Sequence, residues 1–215
     1  MLRFAIIGTG KISHTFMKAA LKVPGFKLEA VYSRSQDSGR AFGSVYGADK
    51  VYTTLKALGD DPEVDAVYIA SPNSSHCAQT VFMLEHGKHV LCEKPIASSA
   101  QELERMMKAA DGNGKILLEA MRPVFDPGFA KIKELLGQLG QIRRAVFQYC
   151  QYSSRYDAFK NGIIENAFNP ALSNAALMDI GVYCIHPMVL LFGKPRQVMA
   201  SGIFLPNHME GEIGR

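Results

Sequence analysis

The sequence has 215 residues, of which 47% are hydrophobic and 20% are charged. This length allows one large domain or two modest ones, and the composition is typical of a globular protein. The formal net charge is +4, and the basic residues are scattered, which excludes the clustered basic surface of a nucleic-acid-binding protein. No apolar window reaches the roughly 18 residues that a membrane span requires, so no membrane partner is expected.

The cysteines have irregular spacing, without a CxxC pair or a histidine at metal-ligand spacing: Cys77, Cys92, Cys150 and Cys184. We interpret them as free thiols and predict no metal site. Free thiols fit a reducing compartment, and the chain opens on an apolar segment without a charged leader. A cytoplasmic protein is therefore expected.

Strand-like and helix-like segments alternate through the first part of the chain. Strands are predicted at 2–7, 27–32, 50–53, 65–70, 89–92 and 115–120. Helices are predicted at 11–23, 38–46 and 74–86, and from Ser99 to about residue 112, where Ser99 and Glu102 have capping-box spacing. This alternation predicts the α/β class, with a Rossmann-type doubly wound parallel sheet.

The pattern changes beyond Arg122. A helix is predicted from Asp126 or Pro127 to about Leu139, followed by a strand at 143–152, a helix at 175–192 and a strand at 197–205. This predicts a second, α+β domain whose open sheet is incomplete, because two strands make a marginal sheet. Either a partner completes the sheet or the sequence is incomplete. The expected domains are 1–121 and 122–215.

A glycine loop ends the first strand and opens the first helix. Gly8 permits a tight turn, and Gly10 allows the backbone to approach a pyrophosphate resting on the helix N-terminus. The third glycine position holds Ser13, so the motif is weak alone and gains weight from its strand–helix context. The residues predicted to bind a dinucleotide here are Gly8, Thr9, Gly10, Lys11 and Ile12.

The end of the second strand carries no acid to bond a ribose 2′-hydroxyl. It reads Ser33-Arg34, and no acid follows until Asp37. A hydroxyl and a guanidinium suit a 2′-phosphate, because arginine pairs with phosphate through two hydrogen bonds. NADP is therefore the preferred cofactor, while an arginine stacked on adenine leaves NAD open.

Two further loops follow strands of the predicted sheet, at the edge where such sheets bind ligands. After the fourth strand, Ser71, Pro72 and Asn73 are expected to line the cofactor path. His76 either reaches a phosphate or ribose or has a structural role. After the fifth strand comes Glu93-Lys94-Pro95, which places a lysine beside the ligand crevice.

Together these motifs resemble the glucose–fructose oxidoreductase and inositol dehydrogenase (Gfo/Idh/MocA) family, whose order they follow across nearly the whole chain. The motifs are Gly8-Thr9-Gly10, Ser71-Pro72-Asn73 with His76, Glu93-Lys94-Pro95, and the segment Leu177 to Tyr183. The resemblance implies an NAD(P)-binding domain over 1–121. It also implies a C-terminally short second domain, over 122–215, whose open sheet carries substrate and the contact of a homo-oligomer.

The resemblance also implies the catalytic residues. Lys94 matches the catalytic lysine of the family, and Asp179 matches its helix aspartate. The residue four positions further is Tyr183, as in members resembling glucose–fructose oxidoreductase and dimeric dihydrodiol dehydrogenase, where other members have histidine. Spacing of four places Asp179 and Tyr183 on one helical face. Glu93 and Lys94 are also expected beside the cofactor.

Proton transfer chemistry agrees with these roles. Hydride leaves a carbinol carbon as its hydroxyl proton is removed, so a general base is useful. A phenol, with an ordinary pKa of about 10, needs a nearby cation to stabilise its phenolate. The hypothesis makes Tyr183 the proton acceptor, Lys94 its electrostatic partner and Asp179 an orienting group, while His186 belongs either to the pocket or to the core.

The leading prediction is an NAD(P)-dependent oxidoreductase acting on a secondary alcohol of a sugar, cyclitol or dihydrodiol. Two alternatives stay open at this level: a regulatory protein that binds NAD(P) without catalysis, and a fragment that binds cofactor without turnover. Fold alone does not separate them. The presence of both Lys94 and Tyr183 favours the enzyme.

Overall fold

Six short apolar segments form one parallel sheet in the computed structural model, which describes residues 1–202. The strands are β1 Leu2–Ile7, β2 Phe26–Tyr32, β3 Lys50–Tyr52, β4 Ala66–Ile69, β5 His89–Cys92 and β6 Leu117–Glu119. Their order is β3-β2-β1-β4-β5-β6, with every neighbouring pair parallel. This is the doubly wound order of a Rossmann domain and confirms the predicted fold class.

Helices cover both faces of this sheet. They are α1 Lys11–Ala20, α2 Gln36–Tyr46, α3 Leu55–Gly59, α4 Asn73–Glu85 and α5 Ala100–Asn113. One apolar cluster contains Met17 of α1 and Phe42 of α2, and the other contains Leu84 of α4 and Ala110 of α5. Because β1 and β4 lie between these two layers, they are apolar at nearly every position.

The chain divides into two compact units, Met1–Ala120 and Met121–Arg215. The described part of the second unit contains α6 Pro127–Leu135, α7 Tyr156–Lys160, a π-helical turn Leu177–Gly181 and α8 Val182–Phe192. The helix predicted from 126 to 139 is formed by α6 and a 3₁₀ turn, Leu136–Leu139, and the helix predicted at 175–192 by the π turn and α8. No helix in the described residues is long and apolar enough to cross a membrane.

The strand predicted at 143–152 is not formed in the described residues, which contain no strand between 121 and 202. Alternating side chains favour an extended backbone, but a strand exists only when a neighbour accepts and donates its ladder hydrogen bonds. No such neighbour for this segment lies within residues 1–202. The strand predicted at 197–205 is not formed over 197–202, and its remainder lies outside the described residues.

An ion pair joins the start of β1 to the start of β4. The Arg3 guanidinium donates to both oxygens of Asp65, with Nε–Oδ2 at 3.0 Å and Nη2–Oδ1 at 2.7 Å. The Arg3 backbone N–H also donates to Oδ2 at 2.8 Å. These bonds stabilise the carboxylate and lower the pKa of Asp65 to about 2.

Replacing Asp65 with asparagine is expected to lower the free energy of unfolding at pH 7 by about 1 kcal/mol, allowing for solvent screening of this partly exposed pair. The folded-state pKa lies below the unfolded-state value, so the contribution is complete above the unfolded pKa and is lost as pH falls towards about 2. Urea unfolding of the wild type and of Asp65→Asn should show that their difference in free energy of unfolding at pH 3 is about half of the difference at pH 7. An undiminished difference at pH 3 would contradict this electrostatic origin.

Candidate active site

The carboxyl ends of the parallel strands bring most of the predicted binding residues to one edge of the sheet. Gly8 follows β1 and donates its N–H to the Tyr32 carbonyl of β2 at 3.2 Å. Ala70 follows β4 and donates to the Ile7 carbonyl at 2.8 Å, while Glu93 follows β5 and donates to the Ile69 carbonyl at 2.9 Å. The loops after β1, β2, β4 and β5 are therefore held by backbone hydrogen bonds beside the crevice where doubly wound sheets bind ligands.

The glycine loop after β1, called the glycine turn below, comprises residues 8–10. It is closely packed on one side and open on the other. Gly8 has φ +102°, and a Cβ there would lie 2.6 Å from the Ala70 carbonyl oxygen, so only glycine fits. Gly10 is the N-cap of α1, and a Cβ there would meet nothing within 4 Å. The N–H groups of Lys11 and Ile12, in the first turn, have no acceptor within the helix and are available to an anion.

Ser13 stabilises the glycine turn from below. It occupies the third glycine position of the motif, is completely buried, and donates its hydroxyl to the Gly8 carbonyl at 2.7 Å. A small side chain is needed there because α1 packs closely against the sheet. The motif spacing marks this position from sequence, but the hydrogen bond to Gly8 is visible only in the structure.

The loop after β2 holds a serine in the core and an arginine in solvent. Ser33 is buried, donates its N–H to the Tyr52 carbonyl at 3.1 Å and accepts from the Ser35 N–H at 3.3 Å. The next side chain, Arg34, is exposed and forms no salt bridge with any residue among 1–202. The guanidinium at this edge is therefore available to an anionic ligand.

His76 joins two of the loops and is not exposed to a ligand. Its Nδ1 lies 2.9 Å from the Pro95 carbonyl and its Nε2 lies 2.9 Å from the Ser71 carbonyl. Burial lowers the pKa of this imidazole, although both carbonyls favour the protonated form. Since both ring nitrogens are occupied within the protein, we assign His76 to positioning the loops, the second of the two roles left open by the sequence.

The other residues of the β4 loop are also held by the protein. Asn73 is the buried first residue of α4, and Pro72 is its N-cap. The Ser71 hydroxyl donates to Gln79 Oε1 at 2.6 Å, which ties the loop to the helix. The backbone of this loop forms one wall of the glycine turn, through the approach of Ala70 to Gly8.

The Lys94 loop is held from several sides. The Ile96 N–H donates to Glu119 Oε1 of β6 at 3.0 Å, and the Pro95 carbonyl faces His76 of α4. The Glu93 carboxylate accepts from the Lys94 N–H at 3.1 Å and from the Tyr68 hydroxyl. Lys94 is half-buried, and its peptide bond to Pro95 is cis. The lysine therefore lies at the ligand edge on a well-braced loop.

The second unit carries the other two predicted catalytic residues. Asp179 lies in the π-helical turn, and Tyr183 lies in the first turn of α8. Such π turns occur frequently at functional sites. Pro187, inside α8, has no N–H to give the Tyr183 carbonyl four residues earlier. The two side chains thus belong to one irregular helical segment.

A cavity of about 300 Å³ lies beside Tyr183 within the second unit. Its lining residues are Arg122, Pro123, Phe147, Gln148, Tyr149, Tyr183 and Cys184. The Tyr149 ring meets the Tyr183 ring edge to face, with centroids 5.6 Å apart. Arg122 and Tyr149 are absent from the sequence predictions, although the alternation of Phe147 and Tyr149 was a signal for a shared face. His186 does not line this cavity.

The cysteines and acidic residues give no sign of a metal centre. All four cysteines are free, and burial raises the pKa of Cys92 to about 12, so this thiol stays protonated. Within residues 1–202, no cluster of three or more histidine, cysteine, aspartate or glutamate side chains could hold a metal ion.

Comparison with known families places both units in one group. A family described as "Oxidoreductase family, NAD-binding Rossmann fold" (GFO_IDH_MocA) matches residues 2–121. The family described as "GFO/IDH/MocA C-terminal domain" matches residues 129–212. Both matches agree with the resemblance identified from the sequence motifs.

Individual proteins with related sequences are dehydrogenases. The chain is 50% identical over 212 residues to the scyllo-inositol 2-dehydrogenase (NADP(+)) IolU of Bacillus subtilis, covering 99% of the chain and 65% of that protein. It is 33% identical over 208 residues to the trans-1,2-dihydrobenzene-1,2-diol dehydrogenase of Danio rerio, covering 95% of the chain and 60% of that protein. The chain thus spans slightly less than two thirds of the length of these curated relatives.

A solved structure with the same fold contains a bound dinucleotide. It is that of KijD10, a 3-ketoreductase from Actinomadura kijaniata in complex with NADP and TDP-benzene. The TM-score is 0.74 at 27% identity, covering 89% of this chain and 57% of that chain. The similarity extends beyond the nucleotide-binding domain.

Proposed function

Because the chain belongs to the GFO/IDH/MocA oxidoreductase family, we propose that it is an NADP-dependent oxidoreductase transferring a hydride between the nicotinamide and a secondary alcohol of a cyclitol, sugar or dihydrodiol. The observation that carries this proposal is the meeting of the glycine turn and the Lys94 loop at one edge of the sheet, with backbone hydrogen bonds linking each loop to its neighbouring strand. Gly10 would hold the pyrophosphate of a dinucleotide bound across that edge, and Lys94 would lie on the nicotinamide side.

The residues at this edge suit an NADP molecule. The open space at Gly10 and the free N–H groups of α1 suit the pyrophosphate. Arg34, beside the buried Ser33, suits the 2′-phosphate, since a guanidinium binds a phosphate through two charged hydrogen bonds. When bound, NADP supplies the carbon that accepts or donates the hydride. We assign the binding of NADP to the domain expected over 1–121.

Replacing Arg34 with glutamine is expected to weaken NADPH binding by about 10- to 100-fold, because a hydrogen bond to a charged group contributes about 1.5–3 kcal/mol. NADH lacks the 2′-phosphate, so its affinity should change by about twofold or less. Fluorescence titration with both nucleotides measures the two effects. Arg105→Gln, which removes an exposed arginine from α5, is the matched control. Equal loss for NADPH and NADH would show that Arg34 does not select the phosphate.

In the proposed reaction Tyr183 accepts the proton of the substrate hydroxyl. The Lys94 ammonium holds the substrate oxygen and stabilises the phenolate, and Asp179 orients the substrate or the tyrosine. The aromatic side chains beside Tyr183 in the second unit form an apolar wall suited to the carbon ring of a cyclitol. We assign substrate binding to the domain expected over 122–215.

The substrate to test first is scyllo-inositol, since a relative at 50% identity is named for its NADP-dependent oxidation. The purified chain is mixed with NADP⁺ and scyllo-inositol, myo-inositol or a trans-dihydrodiol, and the absorbance of reduced nicotinamide is followed. Turnover with any of them supports the proposal. Tight NADPH binding without turnover would favour a cofactor-binding protein, and no binding would overturn the NADP assignment.

We further propose a cytoplasmic homo-oligomer that associates through the second unit and binds neither nucleic acid nor membranes. The absence of disulfides supports the location. Exposed apolar side chains on α8, including Ile185, Leu190 and Phe192, support the association surface. Size-exclusion chromatography with light scattering tests the assembly, and a strictly monomeric species over a wide concentration range would contradict it.

A further inference from the structure

A tyrosine hydroxyl inside the nucleotide-binding domain is directed at the loop that carries Lys94. Tyr68 of β4 is 1% exposed and donates its hydroxyl to Glu93 Oε1. In the sheet Tyr68 pairs with Leu91 of β5. Because side chains alternate along a strand, Leu91 and Glu93 share a face, and Tyr68 lies on that same side of the sheet.

The ring of Tyr68 is packed among apolar side chains. Its ring belongs to an apolar cluster with Ile6, Met17 and Val31, which phenylalanine would fill equally well. Placing a hydroxyl in such a core costs free energy unless it is hydrogen-bonded. The bond to Glu93 satisfies this hydroxyl and simultaneously gives the half-buried carboxylate a donor.

The same tyrosine also contacts the helix of the glycine turn. Its ring stacks on Phe16 of α1, with centroids 3.9 Å apart and an interplanar angle of 14°. Helix α1 in turn holds the turn through Ser13, whose hydroxyl donates to the Gly8 carbonyl at 2.7 Å. Tyr68 therefore joins the element that would bind the pyrophosphate to the loop that carries Lys94.

We propose that Tyr68 is a positioning residue that sets the orientation of Glu93 and, through it, the place of Lys94. The path is short: the Tyr68 hydroxyl binds one carboxylate oxygen of Glu93, and the other oxygen accepts the Lys94 N–H at 3.1 Å. This inference rests on the proposed function, because the consequence for catalysis depends on Lys94 acting on the substrate. The effect on Lys94 itself does not depend on turnover.

The test compares Tyr68→Phe with Tyr52→Phe. The Tyr52 hydroxyl also donates to a carboxylate in the same domain, Asp61 Oδ2 at 2.9 Å, so the control removes the same chemical bond away from Lys94. For Tyr68→Phe we expect kcat to fall about 10-fold and its pH profile to shift, with KM and NADPH affinity changed about threefold or less, as for a lost transition-state interaction. Tyr52→Phe should leave kcat and its pH profile unchanged.

A second readout requires no turnover. The rate at which an amine-acylating reagent labels Lys94, measured by mass spectrometry, is expected to change at least about threefold in Tyr68→Phe and to stay unchanged in Tyr52→Phe. In a Glu93→Ala background, adding Tyr68→Phe should change neither labelling nor kcat further. If the wild type shows no turnover, the proposed function fails while the labelling still decides the positioning role. Labelling of Lys94 that is equal in all variants would overturn the inference.

Discussion

Replacing Lys94 with methionine is expected to lower kcat by at least about 100-fold, the lower range for a group that supports general acid–base catalysis. Methionine keeps much of the stem volume but removes the cation to which we assign stabilisation of a phenolate and contact with the substrate oxygen. The loop should survive, because the backbone of Ile96 and Pro95 holds it through hydrogen bonds to Glu119 and His76. NADPH affinity should therefore change by about threefold or less.

The kinetic measurement uses the cyclitol that gives the best turnover with the wild type. Lys108→Met, which removes an exposed lysine from α5, is the matched control and should retain wild-type kcat. Tyr183→Phe should reproduce the loss, whereas Tyr149→Phe keeps a ring against Tyr183 and should change kcat by about threefold or less. A Lys94→Met enzyme with most of its turnover would refute the lysine–tyrosine mechanism.

Replacing Gly8 with alanine is expected to lower the free energy of unfolding by at least about 2 kcal/mol and to abolish NADPH binding. Two effects add here. The backbone has φ +102°, which alanine adopts only with strain, and the new Cβ would lie 2.6 Å from the Ala70 carbonyl oxygen. Relieving this overlap would shift the glycine turn, which is the segment proposed to face the cofactor.

Gly10→Ala separates folding from binding. This glycine has φ −78°, and a Cβ would meet nothing within 4 Å, so stability should change by about 0.5 kcal/mol or less. The methyl group would instead stand where the pyrophosphate approaches the backbone, and NADPH affinity should fall at least about 10-fold. Thermal unfolding and fluorescence titration of both variants measure the two quantities. Unchanged NADPH affinity in Gly10→Ala would place the pyrophosphate elsewhere.

Much of the nucleotide-binding domain could be predicted from local patterns. Ser99 caps α5 as expected, since the Glu102 N–H donates to Ser99 Oγ at 3.2 Å, while the Glu102 carboxylate accepts from the Ser98 N–H, one residue before the cap, at 2.8 Å. Helix α3 was missed because it has only five residues, too few for a helical period to be visible, although Thr54 caps it. The strand predicted at 143–152 is not formed, for a different reason. Alternation predicts an exposed–buried pattern but does not supply a hydrogen-bonded partner.

By itself, the sequence determined the parallel sheet, the glycine turn and the position of Lys94 at a strand end, because hydrophobic periodicity, the alternation of strands with helices and turn residues are read from residues close together in the chain. Only the tertiary structure decided which side chains hold that site. His76 meets Pro95 across 19 positions and Tyr68 meets Glu93 across 25. Such pairs depend on which strands lie side by side and on which face each side chain occupies, and no local pattern specifies that a particular buried hydroxyl or imidazole finds its partner there.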